Sequence, residues 1–263
     1  MKKINDIVVY TAIANNYDDL IDPKFISNNI DYYCFTDDIS MESEVWNLLE
    51  FPKDDLNSTY KNRLVKMLPH KYFSEYRYSV YIDGNIDILG DIEKLVNEYL
   101  VEREYKLAVP KHPQRNCLFE EAEACIKFRK DNAEIINKQI REYKKENFPN
   151  NLDLTENNII FRKHNDPEVV NLMEDWWNEF NKFSQRDQLS FLYVIWKNNF
   201  DYLPMLINSR EENEYFRIRG HRKTGFRRIW QLIKIHRDKN KINKYLYNIL
   251  KSIKNKLDKY RVN

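Results

Sequence analysis

A chain of 263 residues, 42% of them apolar, can bury one sizeable core and has little left over for a second full domain. Its formal charge of +2 hides an uneven split: residues 217–263 carry sixteen Lys/Arg and two Asp/Glu, against 27 and 39 in residues 1–216, so an acidic body carries a basic tail suited to an anionic partner. Four glycines supply neither GxGxxG nor GxxxxGK[ST], which excludes a glycine-built phosphate loop, and Cys34, Cys117 and Cys125, odd in number and without CxxC spacing, indicate neither a disulfide framework nor a zinc site.

Taken in chain order, Ile7–Thr11 is a β-branched run that stops at the polar stretch Asn15–Asp19, which predicts a strand ending in a loop. Tyr32–Thr36 repeats the pattern and ends at Asp37-Asp38, and Val45–Phe51 is a third strand closed by Pro52. Tyr60, Leu64, Val65 and Leu68 have helical spacing between a Ser58 or Thr59 cap and the stop at Pro69. Tyr78–Ile82 is a buried central strand, Asp91 caps a helix through about Tyr99, and Leu107–Val109 is a short strand ending at Pro110. Leu118–Glu146 is helical in composition, with no breaker before Pro149. Asn158–Phe161 is again a strand, Asp166-Pro167 starts a helix through Trp177, another helix runs from Asp187 to about Trp196, and Tyr202–Leu206 is the last strand. Strands alternating with helices predict an α/β fold with a mostly parallel sheet flanked by helices, whose ligands sit at the carboxyl ends of the strands.

The sharpest local feature is Tyr81-Ile82-Asp83-Gly84-Asn85-Ile86-Asp87, where a buried strand delivers acids to the sheet edge. Asp83 and Asn85 can supply oxygen ligands to Mg²⁺ or Mn²⁺ in the manner of an Asp-x-Asp motif, while Asp-Gly between apolar runs is equally a hairpin turn. Taken alone, Arg63 and Lys66 read as a solvated helix face, Asp37 as a turn residue, His112-Pro113 as a turn before a charged helix, and Asp187 as a helix cap.

Joint order changes that reading. Tyr10-Thr11-Ala12-Ile13 with Tyr17-Asp18, Cys34-Phe35-Thr36-Asp37, Arg63-x-x-Lys66 with Pro69-His70, and Tyr81-Ile82-Asp83-Gly84-Asn85 together resemble the GT-A glycosyltransferases. More closely, with His112-Pro113-x-Arg115, Glu120-Glu121-Ala122, Asn158–Arg162, Trp176-Trp177 and Arg186-Asp187-Gln188, the chain resembles the transferase-like family that includes plant mucilage-related proteins and a turgor-regulating protein described as an alkaline ceramidase. The resemblance covers roughly residues 4–225.

It implies a GT-A-like (Rossmann-like) domain over 1–225 and a basic amphipathic helical extension over 226–263. It implies that Thr11, Ala12, Ile13 and Asp37 line a nucleotide pocket, that Arg63 and Lys66 approach the diphosphate, and that Asp83, Gly84 and Asn85 hold donor and metal, with Asp87 available to compensate for the Asn. His112, Arg115 and Glu121 would contact acceptor or sugar. Asp187 and Gln188 would be catalytic, Asp187 either as general base or, with Gln188, in placing the donor sugar. His221, within a basic loop, would add a metal ligand. The expected activity is transfer of a sugar from a nucleotide diphosphate, UDP by family analogy, to a hydroxyl of a glycan or glycolipid, assisted by Mn²⁺ or Mg²⁺. The alternatives are hydrolysis of ceramide-like lipid amides and a catalytically silent sugar-nucleotide-binding relative.

In the tail, Leu246, Ile249, Ile253, Leu257 and Tyr260 trace one helical stripe flanked by lysines, a pattern for an anionic membrane surface or a protein face. Residues Met1–Asp6 lack a signal peptide's apolar stretch, so the expected location is the cytoplasm, with peripheral attachment at the inner face of the membrane. Nucleic acid is not an expected partner.

Overall fold

A computed structural model describes residues 5–52, 55–221, 245–250 and 252. Strands β1 (Ile7–Ile13), β2 (Ile30–Thr36) and β3 (Asn47–Glu50) are followed by helix α1 (Ser58–Met67), β4 (Tyr78–Ile82), β5 (Ile86–Ile88), α2 (Ile92–Val96) and β6 (Leu107–Pro110). Then come α3 (Leu118–Lys127), α4 (Ala133–Lys145), β7 (Ile159–Arg162), α5 (Pro167–Lys182), α6 (Gln188–Lys197), β8 (Leu203–Met205) and β9 (Phe216–Ile218). Seven strands form one sheet in the order β3-β2-β1-β4-β7-β6-β8. All neighbours are parallel except β7, which runs antiparallel to both β4 and β6. This is the mostly parallel, helix-flanked α/β sheet expected from the sequence.

β1 is buried along its whole length because both faces of the sheet are covered. Val8, Tyr10 and Ala12 pack into one core with residues of α5 and α6, including the fully buried Trp176, while Ile7, Val9 and Ile13 join a second core with residues of α2. Such cores fix the strand ends against one another, and truncating a residue like Trp176 would cost about 3–5 kcal/mol.

The single reversed strand matters most for the site. In the register Ile82↔Ile159, the start of β7 lies beside the end of β4, and the Asp83 N–H donates to the Asn158 carbonyl at 2.8 Å. The chain therefore enters β7 at the same rim where the parallel strands end.

Three expectations need correction. Residues 118–146 form two helices: Arg129 is left-handed (φ 51), and Asn132 starts α4 by accepting from the Glu134 and Ile135 N–H groups. No Pro or Gly marks that break, so composition could not reveal it. The Asp83-Gly84 turn is not a hairpin, because β5 pairs with β9 instead of β4, in a separate two-stranded sheet. Asp187 occupies the cap position of α6, but its side chain makes no capping hydrogen bond. Of the tail, Leu246 and Ile249 are exposed on a helical stretch, whereas Ile253, Leu257 and Tyr260 lie outside the described residues, as does most of 226–263. Among the described residues no helix is long and apolar enough to cross a membrane.

Candidate active site

At the carboxyl rim, one ammonium ties two acids together. Lys66, in the last turn of α1 and 1% exposed, places Nζ 2.7 Å from Asp187 Oδ2 and 3.6 Å from Asp83 Oδ1. Arg63, one turn earlier, brings Nε to 3.4 Å from Asp187 Oδ2. The i, i+3 spacing puts both cations on one side of α1. Two buried groups set the height of Lys66: its carbonyl accepts from Tyr10 Oη at 3.1 Å and from Arg162 Nη1 at 2.8 Å. Burial pushes the Tyr10 hydroxyl up to about 12, against the pull of Arg162, so it stays a donor. Tyr81 Oη donates to Asp83 Oδ1 at 2.9 Å and holds that carboxylate over the rim, where its side chain is 32% exposed.

Asp187 is the most perturbed acid. Burial would raise its pKa, but Arg63, Lys66 and Arg186 override it and hold the carboxyl well below the usual carboxylate range. Arg63 is shifted the other way, with burial outweighed by Asp187 and Asp83. Gln188, next in the chain, donates to the Thr155 carbonyl at 2.9 Å. Beside this cluster opens a cleft of about 430 Å³ lined by Ala12, Asn15, Tyr17, Arg63, Lys130 and Arg186 among others. Three cations, Arg63, Lys130 and Arg186, line it against one acid, Asp131. A larger hollow of about 730 Å³ lies at the amino ends of β6 and β8, away from every charged group of the rim cluster.

The loop after β1 forms one wall of the cleft. Asn15 and Asn16 are left-handed (φ 54 and 49), a conformation asparagine tolerates, and the Asn15 N–H donates to both oxygens of Asp37 at 2.9 and 2.8 Å. Of the predicted nucleotide-pocket residues, Ala12 lines the cleft, Asp37 braces its wall, and Thr11 and Ile13 are buried beneath it. Gly84 has little room for a side chain: a Cβ would sit 2.8 Å from Ile13 Cγ1 and 3.3 Å from Asp18 Oδ2. The Asp18 carboxylate is thus packed against the turn that carries Asp83.

A C-terminal strap closes the other side. The Arg219 N–H donates to Asn85 O, Asn85 Nδ2 donates to Arg219 O at 3.0 Å, and Arg219 Nη2 donates to the Gly84 and Asp19 carbonyls at 2.9 and 3.0 Å. Asp87 is committed to Arg217 (2.7 Å) and Arg219 (2.5 Å), so it does not stand in for a second metal-binding acid. His221 follows, with Nδ1 2.8 Å from Asp18 Oδ1 and its ring 4.5 Å from that of Tyr17. Tyr17 links strap and cluster: its hydroxyl is raised first by burial, then by Asp18, with Arg186, Arg63 and Asp83 also within electrostatic reach.

Beyond β6 lies a second ion network. His112 Nδ1 accepts from the Gln114 and Arg115 N–H groups at 3.1 and 3.0 Å, and Arg115 pairs with Glu121, which also holds Lys130 at 3.2 Å. Burial, then the charge of Arg115, lowers His112 to about 4. Glu121 has no exposed surface. The expected sugar contact from Glu121 is therefore corrected: it holds Arg115 and Lys130 in place from beneath.

The first 221 residues match the model of the TOD1/MUCI70 glycosyltransferase-like domain. The chain belongs to this family. Two Arabidopsis thaliana relatives are "Probable hexosyltransferase MUCI70", 27% identical over 221 residues, and "Alkaline ceramidase TOD1", 25% identical over 222. These matches cover 74% and 72% of this chain, but it spans only 38% and 48% of those proteins' lengths. Among solved structures, mouse xyloside xylosyltransferase 1 superposes with a TM-score of 0.45 at 7% identity, covering 75% of this chain and 84% of that one. The WbbM bifunctional glycosyltransferase does so at 0.49 and 13%, covering 78% and 39%.

For a TOD1/MUCI70 domain of this sequence, the implied divalent cation can be tested against the residues present. Among the described residues no three His, Cys, Asp or Glu side chains form a ready-made metal cluster. A cation that bridges a diphosphate needs only one or two protein ligands besides phosphate oxygens and water, and the partly exposed Asp83 and His221 suit that demand. Asn85 is 5% exposed and its amide nitrogen holds the strap, which leaves its Oδ1 as the atom that could face a cation.

Several residues of this rim escaped the sequence reading. Glu156, Asn157 and Asn158, all buried, enter β7 beside Asp83; Glu156 pairs with Arg210, and Glu156 Oε2 and Asn157 Nδ2 have no hydrogen-bond partner among the described residues. The available signal was a run of four polar residues, Thr155–Asn158, leading straight into a buried strand. Arg162 and Asp18 carried no local signal beyond the family motif.

Proposed function

We propose that the chain is a glycosyltransferase that takes a sugar from a nucleotide diphosphate, UDP by family analogy, and passes it to a glycan or glycolipid hydroxyl. The observation that carries this reading is the buried Lys66 ammonium joining Asp83 to Asp187 beside a cleft lined by Arg63, Lys130 and Arg186. Cations fixed before substrate arrives stabilise charge that develops on a departing diphosphate without having to reorganise. Arg63 and Lys66 orient the diphosphate, Ala12, Asn15 and Tyr17 receive the nucleoside, and the Asp83 carboxylate faces the bound donor. Where a divalent cation accompanies the donor, Asp83 and His221 hold it, and it supplies Lewis-acid stabilisation of the leaving group.

Of the two roles open to Asp187, the geometry favours placement of the donor. A carboxylate held well below its usual range, with Oδ2 bonded to Lys66, is a weak proton acceptor. Hydrolysis, the reading invited by one relative's name, finds less support: burial pushes the Cys34 and Cys125 thiols up to about 12 and about 11, which removes them as nucleophiles at neutral pH.

The test is Asp83→Ala. Donor turnover, followed as UDP release from a panel of UDP-sugars with Mn²⁺, should fall about a hundredfold or more while the melting temperature holds, because the side chain sits at the rim instead of in the core. A folded variant with near wild-type turnover would refute the assignment.

A further inference from the structure

We propose that Asp18 is a positioning residue that fixes the His221 ring so that Nε2 is presented for cation binding, an inference that rests on the metal-assisted reading above. Asp18 comes from the loop after β1, some two hundred residues before His221, and is 6% exposed. Its Oδ1 lies 2.8 Å from His221 Nδ1. A carboxylate can only accept there, so the neutral imidazole carries its proton on Nδ1 and its lone pair on Nε2. Carboxylate–histidine pairs of this kind fix the ring's tautomer and orientation and raise its basicity toward a metal.

Three further contacts show that the pair is built into the rim. Gly84 leaves the space in which Asp18 Oδ2 rests against the Asp83 turn. Arg219 pins the strap to the Asp19 and Gly84 carbonyls, the two segments that flank the pair. Tyr17 covers one side of the imidazole. Asn85 donates to Arg219 O, a bond that an ionised aspartate at this position could not make, and so holds the strap that carries His221.

The experiment uses the full chain and two readouts besides turnover: the ¹⁵N shifts of the His221 ring without metal, and the affinity for Mn²⁺ in the presence of UDP, by calorimetry. Wild type should show the Nδ1–H tautomer. His221→Ala and Asp18→Ala should each weaken Mn²⁺ binding about 10- to 100-fold, and the double variant should be no weaker than His221→Ala alone. Asp18→Asn keeps an acceptor without the charge, so it should retain the tautomer with a smaller loss of affinity; it also carries the test if Asp18→Ala does not fold. An Nε2–H tautomer in wild type, additive losses in the double variant, or unchanged affinity in both Asp18 variants while His221→Ala weakens binding would each overturn the role of Asp18. Unchanged affinity in His221→Ala would instead remove the histidine as a ligand, and the proposal with it.

Discussion

Two buried ion networks face each other across the rim, and their difference separates a site from its support. In the cluster of Lys66, Arg63, Asp83 and Asp187, one acid is buried and the other reaches solvent beside a cleft. In the network of His112, Arg115, Glu121 and Lys130, the acid is wholly enclosed and holds both cations, of which Lys130 also lines the cleft. Both look alike in sequence, as charged residues on or near helices together with one turn after a strand. What distinguishes them is whether charge is left over after the internal pairs are made.

Removing the shared cation should show the contrast most strongly. Lys66→Met leaves Asp187 buried without its hydrogen-bonded ammonium, with Arg63 and Arg186 remaining nearby, and loss of one partner of a buried pair costs about 3–5 kcal/mol. Thermal unfolding should register that loss together with loss of UDP binding, and Asp187→Leu added to Lys66→Met should restore stability but not binding. Glu121→Gln should be milder, about 1–3 kcal/mol for unsatisfied partners, and should leave UDP affinity within a few-fold. A collapse of donor binding in that variant would show that the second network serves the donor directly.

Acid should separate the regions next. His112 and His164, the latter wholly buried after β7 with Nε2 2.7 Å from the Phe73 carbonyl, are both lowered to about 4, chiefly by burial. They remain neutral in the folded protein while the unfolded chain takes up protons from about pH 6.5 downward. Stability should therefore fall between pH 6.5 and 4, and His112→Asn should flatten part of that slope in melting curves against pH. Asp187, held well below the usual carboxylate range, keeps its charge through this window and adds its own loss only at lower pH. The smallest effect is expected from Asn85→Asp, which restores the Asp-x-Asp pattern but loses the donor to Arg219 O: about 1 kcal/mol less stability, read by thermal unfolding.

The sequence made the long elements legible because their periodicity is local. β1, β2, β4 and α5 stand close to where apolar pattern and caps put them. β5 and β9, three residues each, exist only because distant segments pair, and no window of sequence contains both. The same holds within the site. Asp83, Arg63, Lys66 and Asp187 came from the family motif, and the structure brings them together around one ammonium. The partners that position them, Arg162 beneath Lys66 and Arg219 around Asn85, are contacts across roughly a hundred residues or more. Glu121 failed as a sugar contact for the complementary reason: its charge was visible in the sequence, but its complete enclosure was not.

The strap gives the rim an order of completion. The seven-stranded sheet has all its strands once the chain reaches Met205, yet the turn bearing Asp83 is braced only when Phe216–His221 arrives. During synthesis the amino-terminal part is free to fold first. A nascent chain can thus hold all seven strands of the main sheet while the turn bearing Asp83 still lacks its brace. The brace on this turn comes late in the chain, from six residues of which Phe216 is anchored in the core.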